Sequence, residues 1–401
     1  MNVIITPSTA RGRIAAPSSK SMAHRALICG ALSASSTIEN VAFSEDIRAT
    51  LRCLAALGAQ VEQDGDKVRI SGLRADNIAP SAPLDCGESG STLRFMIPLC
   101  LLSDKPVTLT GSERLMQRPL GVYADLCAAA GLRFEQQGNI LTVCGPLKGG
   151  RFAVPGDVSS QFISGLLFAL PLAAEDSVIQ ITSKAESLSY VDLTLKTLTD
   201  FGIRLFRMGD AILIPGGQVY QPCDAAVEGD WSNAAFLDAF NLFSGDVTVE
   251  GLDACSPQGD RVYRECFVKL ARRDPSPIDL ADCPDLAPIL FVVAAVAGGA
   301  VFENTARLKI KESDRAVAMQ QELAKCGIPL TVEDNRVIVH DAPLHAPDGV
   351  IDGHNDHRIV MAMSVLCSIV GGEIAGAEAV AKSYPTFFDD IAKLGIQVKK
   401  Q

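Results

Sequence analysis

Hydrophobic positions along this 401-residue chain follow one recurring scheme: an apolar face at helical spacing, a glycine, then residues alternating between apolar and polar. The stretches LRCLAALGAQVEQDGDKVRISG, YADLCAAAGLRFEQQGNILTVCG, LKTLTDFGIRLFRMGDAILIPGG and ELAKCGIPLTVEDNRVIVHD carry it in full, and a truncated copy reads IAKLGIQVKK. The glycine suits the left-handed end of a helix, and the D-G, Q-G, G-D and D-N pairs suit hairpin turns. With the weaker copy FVKLARRD, six units are visible, most of them about 70 residues apart. That period is longer than a solenoid repeat, so each unit is expected to be a small α/β module of its own.

A second helix precedes each of these, and the six openings read PSSKSMAHRAL, GESGSTLRFMI, GDVSSQFISGLL, GDWSNAAFLDAF, CPDLAPILFVV and NDHRIVMAMSVL. Each sets Ser, Asp, Asn or Gly before an apolar run, as a helix N-cap does. Read singly, each is an ordinary helix start. In equivalent places of repeated units, however, such helices can aim their N-termini at a shared centre, and that centre attracts anions. The first opening is odd in this light, because Lys20, Ser21, His24 and Arg25 follow Ser18 and Ser19 where the helix dipole favours Asp and Glu. RLMQRPLGVY, KESDRAVAM and KSYPTFFDD bring more cations to predicted helix starts. Together Lys20, Arg25, Arg118, Lys311, Arg315, Arg358 and Lys382 read as a distributed clamp for phosphate and carboxylate groups.

Composition narrows the ligand. A net charge of -11 argues against a nucleic-acid or membrane-surface binder, so the basic site is local and its ligand a small polyanion. With 48% hydrophobic and 21% charged residues, the chain is of ordinary globular composition and long enough for two domains. The longest apolar run, Ile289 to Phe302, falls short of the roughly 20 residues that span a bilayer and predicts a core helix running into a strand. Twelve cysteines are scattered with no CxxC pair and no signal-peptide pattern ahead of them, which predicts free thiols in a reducing cytoplasm. Neither a metal-ligand cluster nor a dinucleotide fingerprint is present, so no metal and no cofactor are expected.

PSSKSMAHR resembles the G-S-K-S-x-x-x-R segment of the 5-enolpyruvylshikimate-3-phosphate synthase family, with Ser18 in place of the glycine, and GESGSTLR resembles its G-N-x-G-T segment. RPL, DVSSQF, SLSYVD, PD, KESDR, NDHR and AKSYP follow in family order, so the resemblance runs over essentially the whole chain. It implies an α/β fold of two similar domains, each of three repeated β/α units, with helix N-termini facing an interdomain cleft. It also implies transfer of the enolpyruvyl group of phosphoenolpyruvate to the 5-hydroxyl of shikimate 3-phosphate, with release of phosphate, on the way to chorismate and aromatic amino acids. The repeat count puts the domain crossing near Glu228 to Asp230, and the resemblance returns the first strand to the second domain. The expected domains are therefore residues 18–228, mainly for shikimate 3-phosphate, and residues 1–17 plus 229–401, carrying phosphoenolpyruvate-binding cations and acid/base residues.

Carried over position by position, the resemblance implies shikimate 3-phosphate contacts at Lys20, Ser21, Arg25, Ser159, Ser160, Gln161, Ser187, Tyr190, Asp285 and Lys311. Phosphoenolpyruvate contacts fall on Lys20, the backbone of Gly90, Arg118, Gln161, Arg315, Arg358 and Lys382. The reaction needs a proton taken from the 5-hydroxyl, one delivered to and later removed from C3, and help for the departing phosphate. The resemblance assigns these tasks to Asp285, Glu312 and Lys20 without dividing them. Read from the residues alone, Asp285 caps a helix and Glu312 is a first-turn acid. Glu88 stands where many members have Asn, beside the site that glyphosate shares with phosphoenolpyruvate in this family. Arg307 replaces an Asn that contacts substrate in some members, and that contact is not carried over. A sister transferase acting on UDP-N-acetylglucosamine has a G-x-x-N-A start and a loop cysteine, whereas this chain has SSKS and no Cys between Gly111 and Arg118. An RNA 3'-phosphate cyclase would need a basic aromatic face, and a non-enzymatic repeat scaffold would leave the cations idle. The expected partners are the two small substrates, bound by a monomer.

Overall fold

A module of the chain begins with a short strand that leads into an apolar helix, returns as a second strand parallel to the first, and passes through an amphipathic helix into a hairpin. Residues 84–144 show it whole: strand Leu84–Asp85, helix Gly90–Cys100, strand Val107–Thr110, helix Gly121–Ala130 and hairpin Arg133–Gln137 with Ile140–Cys144. Leu84 pairs in parallel with Leu109, Val107 antiparallel with Val143, and Phe134 with Val143. Residues 151–214 and 278–339 repeat the same four-stranded order. This computed structural model describes residues 1–74, 77–184 and 186–401, which form two compact units, Ser18–Glu228 and Met1–Pro17 with Gly229–Gln401.

The remaining modules complete themselves with strands distant in sequence. In the Ser18–Glu228 unit, the sheet of Ser36–Glu39, Lys67–Ser71 and Gln60–Asp64 takes its parallel edge strand from Ala225–Ala226. In the other unit, Asn2–Thr6 pairs with Gln397–Lys400 and with Gly372–Ala375, in the place that the second hairpin strand takes in the complete modules. That explains the truncated copy IAKLGIQVKK. The weak copy FVKLARRD belongs to a module in which, among the described residues, Asp246–Glu250 pairs with Arg11–Ala15 alone, in a two-stranded sheet without a hairpin.

Local chemistry accounts for the boundaries. Gly131 (φ 67°) and Gly327 (φ 85°) end their helices in the left-handed region, which favours glycine; the hairpin-less module has Arg273 there, at φ 53°. Ser44 caps Glu45–Ala56 by accepting from the Ile47 N–H, with Glu45 and Asp46 in the first turn as the dipole prefers. The run from Ile289 forms the helix Ala287–Ala297 and then the strand Ala300–Glu303. Among the described residues no helix is long and apolar enough to cross a membrane, and all twelve cysteines are free.

Each unit has its own core around the first helices of its modules, most of whose residues are buried. In the Ser18–Glu228 unit, Ser160–Ala169 packs against Gly90–Cys100 so closely that a Cβ on Gly165 would run into the Tyr123 hydroxyl and the Arg94 carbonyl oxygen. Tyr123 donates to the carbonyls of Arg94 (2.9 Å) and Phe162 (3.1 Å), locking both helices. Gly165→Ala should therefore destabilise this unit by about 1–3 kcal/mol, the range for overpacking a filled core. Urea unfolding of the variant, expected to show a lower midpoint, checks this.

Candidate active site

Asp285 lies in the turn Pro284–Leu286, just ahead of the helix Ala287–Ala297, and its carboxylate faces cations rather than capping that helix. Oδ1 accepts from Lys311 Nζ (3.2 Å) and Arg315 (2.7 Å), and Oδ2 from Arg358 (2.9 Å). Arg315 opens the helix Arg315–Lys325 and is only 1% exposed. It donates further to Asp356 Oδ2 (2.9 Å) and Glu312 Oε2 (2.8 Å). Asp356 caps the helix His357–Val370 through the Arg358 N–H (2.9 Å) and accepts from the Ser313 hydroxyl (3.0 Å). Arg358 also reaches Ser232 Oγ (2.6 Å) and the Asp285 carbonyl oxygen (3.2 Å). Lys382 donates to the carbonyl oxygen of Asn355, the residue before Asp356.

Burial and charge compete throughout this cluster. Burial would raise the Asp285 carboxyl, but Arg358, Lys311 and Arg315 together hold it well below the usual carboxylate range. For Lys311 burial prevails over the pull of Asp285 and brings the ammonium down to about 8. Arg315 is raised against burial by Asp356, Glu312 and Asp285, and stays charged. Burial, reinforced by the charge of Asp285, pushes the neighbouring Asp260 carboxyl up to about 6.

In the Ser18–Glu228 unit Lys20 is the first residue of its helix, and Ser19 holds the cap position without accepting a side-chain cap hydrogen bond. Lys20 Nζ pairs with Asp46 Oδ2 at 2.7 Å, both side chains being largely buried. Behind them a buried hydrogen-bond chain runs from His24 to Thr50 (2.8 Å), Thr50 to Thr92 (2.7 Å) and Thr92 to Ser89 (2.8 Å), tying three helices together. Arg25 is buried and donates to Thr194 Oγ1 (2.8 Å) and to the carbonyls of Ser21 (2.6 Å) and Tyr190 (2.9 Å); burial lowers it to about 10. Ser187, at φ 56°, precedes the helix Leu188–Asp200 that carries Tyr190. Ser159 caps the helix starting at Ser160 by accepting from the Gln161 N–H, and the Gln161 amide bridges Arg94 (2.6 Å) and Ser91 (2.9 Å). Gly90 is the first residue of its helix rather than part of a loop, and a Cβ there would meet the Arg118 guanidinium at 2.6 Å. Glu88 is exposed beside it.

Several expectations need correcting. Lys382 closes the 3-10 turn Ala377–Lys382, where the dipole welcomes a cation, and Lys311 follows another such turn; neither starts a helix. Arg118 lies between the helices Glu113–Met116 and Gly121–Ala130, with its guanidinium close to Gly90. Glu312 precedes its helix and is an ion-pair partner of Arg315, not a first-turn acid. Arg307 is buried and donates to the Ala281 carbonyl (2.6 Å), and His357 is buried beside Asp356. Sequence reading missed Asp46, Ser232 and Asp356, which hold residues of the clamp, and Arg94, which holds Gln161; Asp356 stood in the NDHR segment, but Asp46 looked like a first-turn acid. A cavity of about 360 Å³ lies elsewhere, lined by Met22, Ala26, Lys196, Asp200, Cys223 and Glu228 among others, and includes none of the clamp residues. Among the described residues no group of side chains is arranged to hold a metal ion.

The arrangement places Lys311, Arg315 and Arg358 against Asp285 and Asp356, carboxyls held below the usual carboxylate range, which suits proton transfer on an anionic substrate. Known proteins agree in kind. Residues 4–391 match the family described as EPSP synthase (3-phosphoshikimate 1-carboxyvinyltransferase). The chain is 40% identical to the 3-phosphoshikimate 1-carboxyvinyltransferase of Clostridium kluyveri, over 99% of this chain and 98% of that protein. Identity to the Clostridium perfringens enzyme of the same name is 39%, over 98% of each. An EPSP synthase structure from Acinetobacter baumannii, 24% identical, superposes over both full lengths with a TM-score of 0.78, which supports the fold. The chain belongs to the EPSP synthase family.

Proposed function

We propose that this chain is a 3-phosphoshikimate 1-carboxyvinyltransferase, an enzyme of aromatic amino-acid biosynthesis that joins the enolpyruvyl group of phosphoenolpyruvate to the 5-hydroxyl of shikimate 3-phosphate and releases phosphate. The observation that carries the mechanism is Asp285 gripped by Lys311, Arg315 and Arg358. While the three cations hold it, its carboxylate is a weak base. Substrate anions compete for the same cations, so binding frees Asp285 to take the hydroxyl proton as C2 is attacked. Glu312, braced by Arg315, serves C3, and Lys20, braced by Asp46, serves the departing phosphate.

Lys20, Ser21, Arg25, Ser159, Ser160, Gln161, Ser187 and Tyr190, with Asp285 and Lys311, are the proposed shikimate 3-phosphate contacts. Gly90, Arg118, Gln161, Arg315, Arg358 and Lys382, with Lys20, are those for phosphoenolpyruvate. The Ser18–Glu228 unit thus supplies most of the first set and the other unit the remaining cations and the two carboxylates. The reading makes the protein a cytoplasmic monomer that binds no nucleic acid, supported by its acidic balance and free thiols.

The decisive assay is phosphate release, which should require both substrates together. Lys20→Met and Glu312→Gln should each lower turnover at least about a hundredfold while far-UV circular dichroism stays native. Near-normal turnover in either variant removes that residue from the mechanism.

The contact of Gly90 with Arg118 generates a further expectation. Gly90→Ala should displace the Arg118 guanidinium and raise the inhibition constant for the longer anion glyphosate by a larger factor than the Michaelis constant for phosphoenolpyruvate. Because the methyl group acts through Arg118, adding it to Arg118→Met should change the latter's constants by less than about twofold. Steady-state inhibition by glyphosate in the three variants measures both.

A further inference from the structure

Seven residues beyond Arg315, on the same helix, Glu322 buries a carboxylate that is 2% exposed. Its Oε2 accepts from Lys325 Nζ (2.7 Å) and from the Asp352 N–H (2.9 Å), and its Oε1 accepts from His354 Nε2 (2.9 Å). The His354 N–H in turn donates to Asp352 Oδ1 (2.7 Å). His354 and Asn355 occupy consecutive left-handed conformations, φ 49° and φ 50°, which residues with a Cβ rarely adopt. Such a backbone persists where its surroundings hold it. What it accomplishes is visible in the next two contacts: the Asn355 carbonyl receives the Lys382 ammonium, and Asp356 caps the following helix and grips Arg315.

We propose that Glu322 is a positioning residue for the phosphoenolpyruvate half of the site: by holding Asp352 and His354 it fixes the turn that aims Lys382 and seats Asp356 against Arg315. The inference rests on the reading of Lys382 and Arg315 as phosphoenolpyruvate contacts. Glu322 itself acts only through the turn. The charged groups facing His354 are Glu322 and Lys325 from the helix and Asp352 from its own segment. The hydrogen bond that the imidazole donates to Glu322 raises it above its ordinary value, against burial, with Asp352 assisting and Lys325 opposing. A folded value above the unfolded one means that the ionic part of the clamp is complete below about pH 6.5 and is lost as pH rises through the folded value.

Two variants test it. Glu322→Gln removes the charge and mismatches one donor, and His354→Asn removes the reach to Glu322 while keeping a residue that tolerates left-handed backbone. Both should raise the Michaelis constant for phosphoenolpyruvate about tenfold, leave that for shikimate 3-phosphate within about twofold and turnover within about threefold, and combine non-additively. The His354→Asn effect should be largest at pH 6 and shrink toward pH 9. Amide exchange across residues 352–358, which needs no substrate, should speed up in both variants. Unchanged exchange overturns the clamp. Faster exchange with both Michaelis constants unchanged overturns its role in positioning and leaves Glu322 a structural residue. A wild-type chain that releases no phosphate from the substrate pair overturns the transferase reading instead, and exchange still decides whether the clamp exists.

Discussion

Burying arginine and lysine side chains side by side is possible only if something offsets their charge, and in the Gly229–Gln401 portion of the chain that something is Asp285. Its two oxygens receive Lys311, Arg315 and Arg358, with Glu312 and Asp356 taking the remaining reach of Arg315. Removing one partner from such a set leaves a buried charge uncompensated, a loss on the order of 3–5 kcal/mol. Arg315 and Arg358, in the first turns of two helices, are both bound into this knot, and Asp356 joins it while capping the second of those helices. In the proposed mechanism the chemistry depends on it too, because the contacts that stabilise the cations hold the Asp285 carboxyl well below the usual carboxylate range.

The Ser18–Glu228 unit solves a related problem with a single pair. Lys20 at a helix N-terminus opposes the dipole, and Asp46, in the first turn of the next helix, supplies the counter-charge that the dipole welcomes there. The hydroxyl chain through Thr50 and Thr92 to Ser89 fixes the spacing between that pair and the start of the Gly90 helix. Cations and small residues are thus held by buried polar partners rather than by surface loops.

Much of this was legible in the sequence because periodicity reports local structure. The glycine-ended helices and hairpins in four segments emerge as drawn, since each strand pairs with its neighbour in sequence. What escaped was the non-local pairing: nothing in IAKLGIQVKK says that Asn2–Thr6 completes its sheet, and nothing in FVKLARRD says that its hairpin is missing. The clamp residues were found because cations at helix starts are conspicuous. Asp285 and Glu312 came with the resemblance, but Asp46 and Asp356 did not, since Asp46 before an apolar run looks like an ordinary first-turn acid until the fold places Lys20 against it. Lys382 was assigned to a helix start because 3-10 turns leave little trace in hydrophobic spacing.

The direct consequence of a buried ammonium poised at about 8 beside Asp285 is a proton count. Calorimetric titration of shikimate 3-phosphate into the protein at pH 8, in buffers of different ionisation enthalpy, measures it. If Lys311 is held by Asp285 and then claimed by the substrate, binding takes up about half a proton at that pH, and Lys311→Arg abolishes the uptake because arginine stays charged. Binding with no proton uptake, or uptake that persists in Lys311→Arg, contradicts a site built on competition for the partners of Asp285.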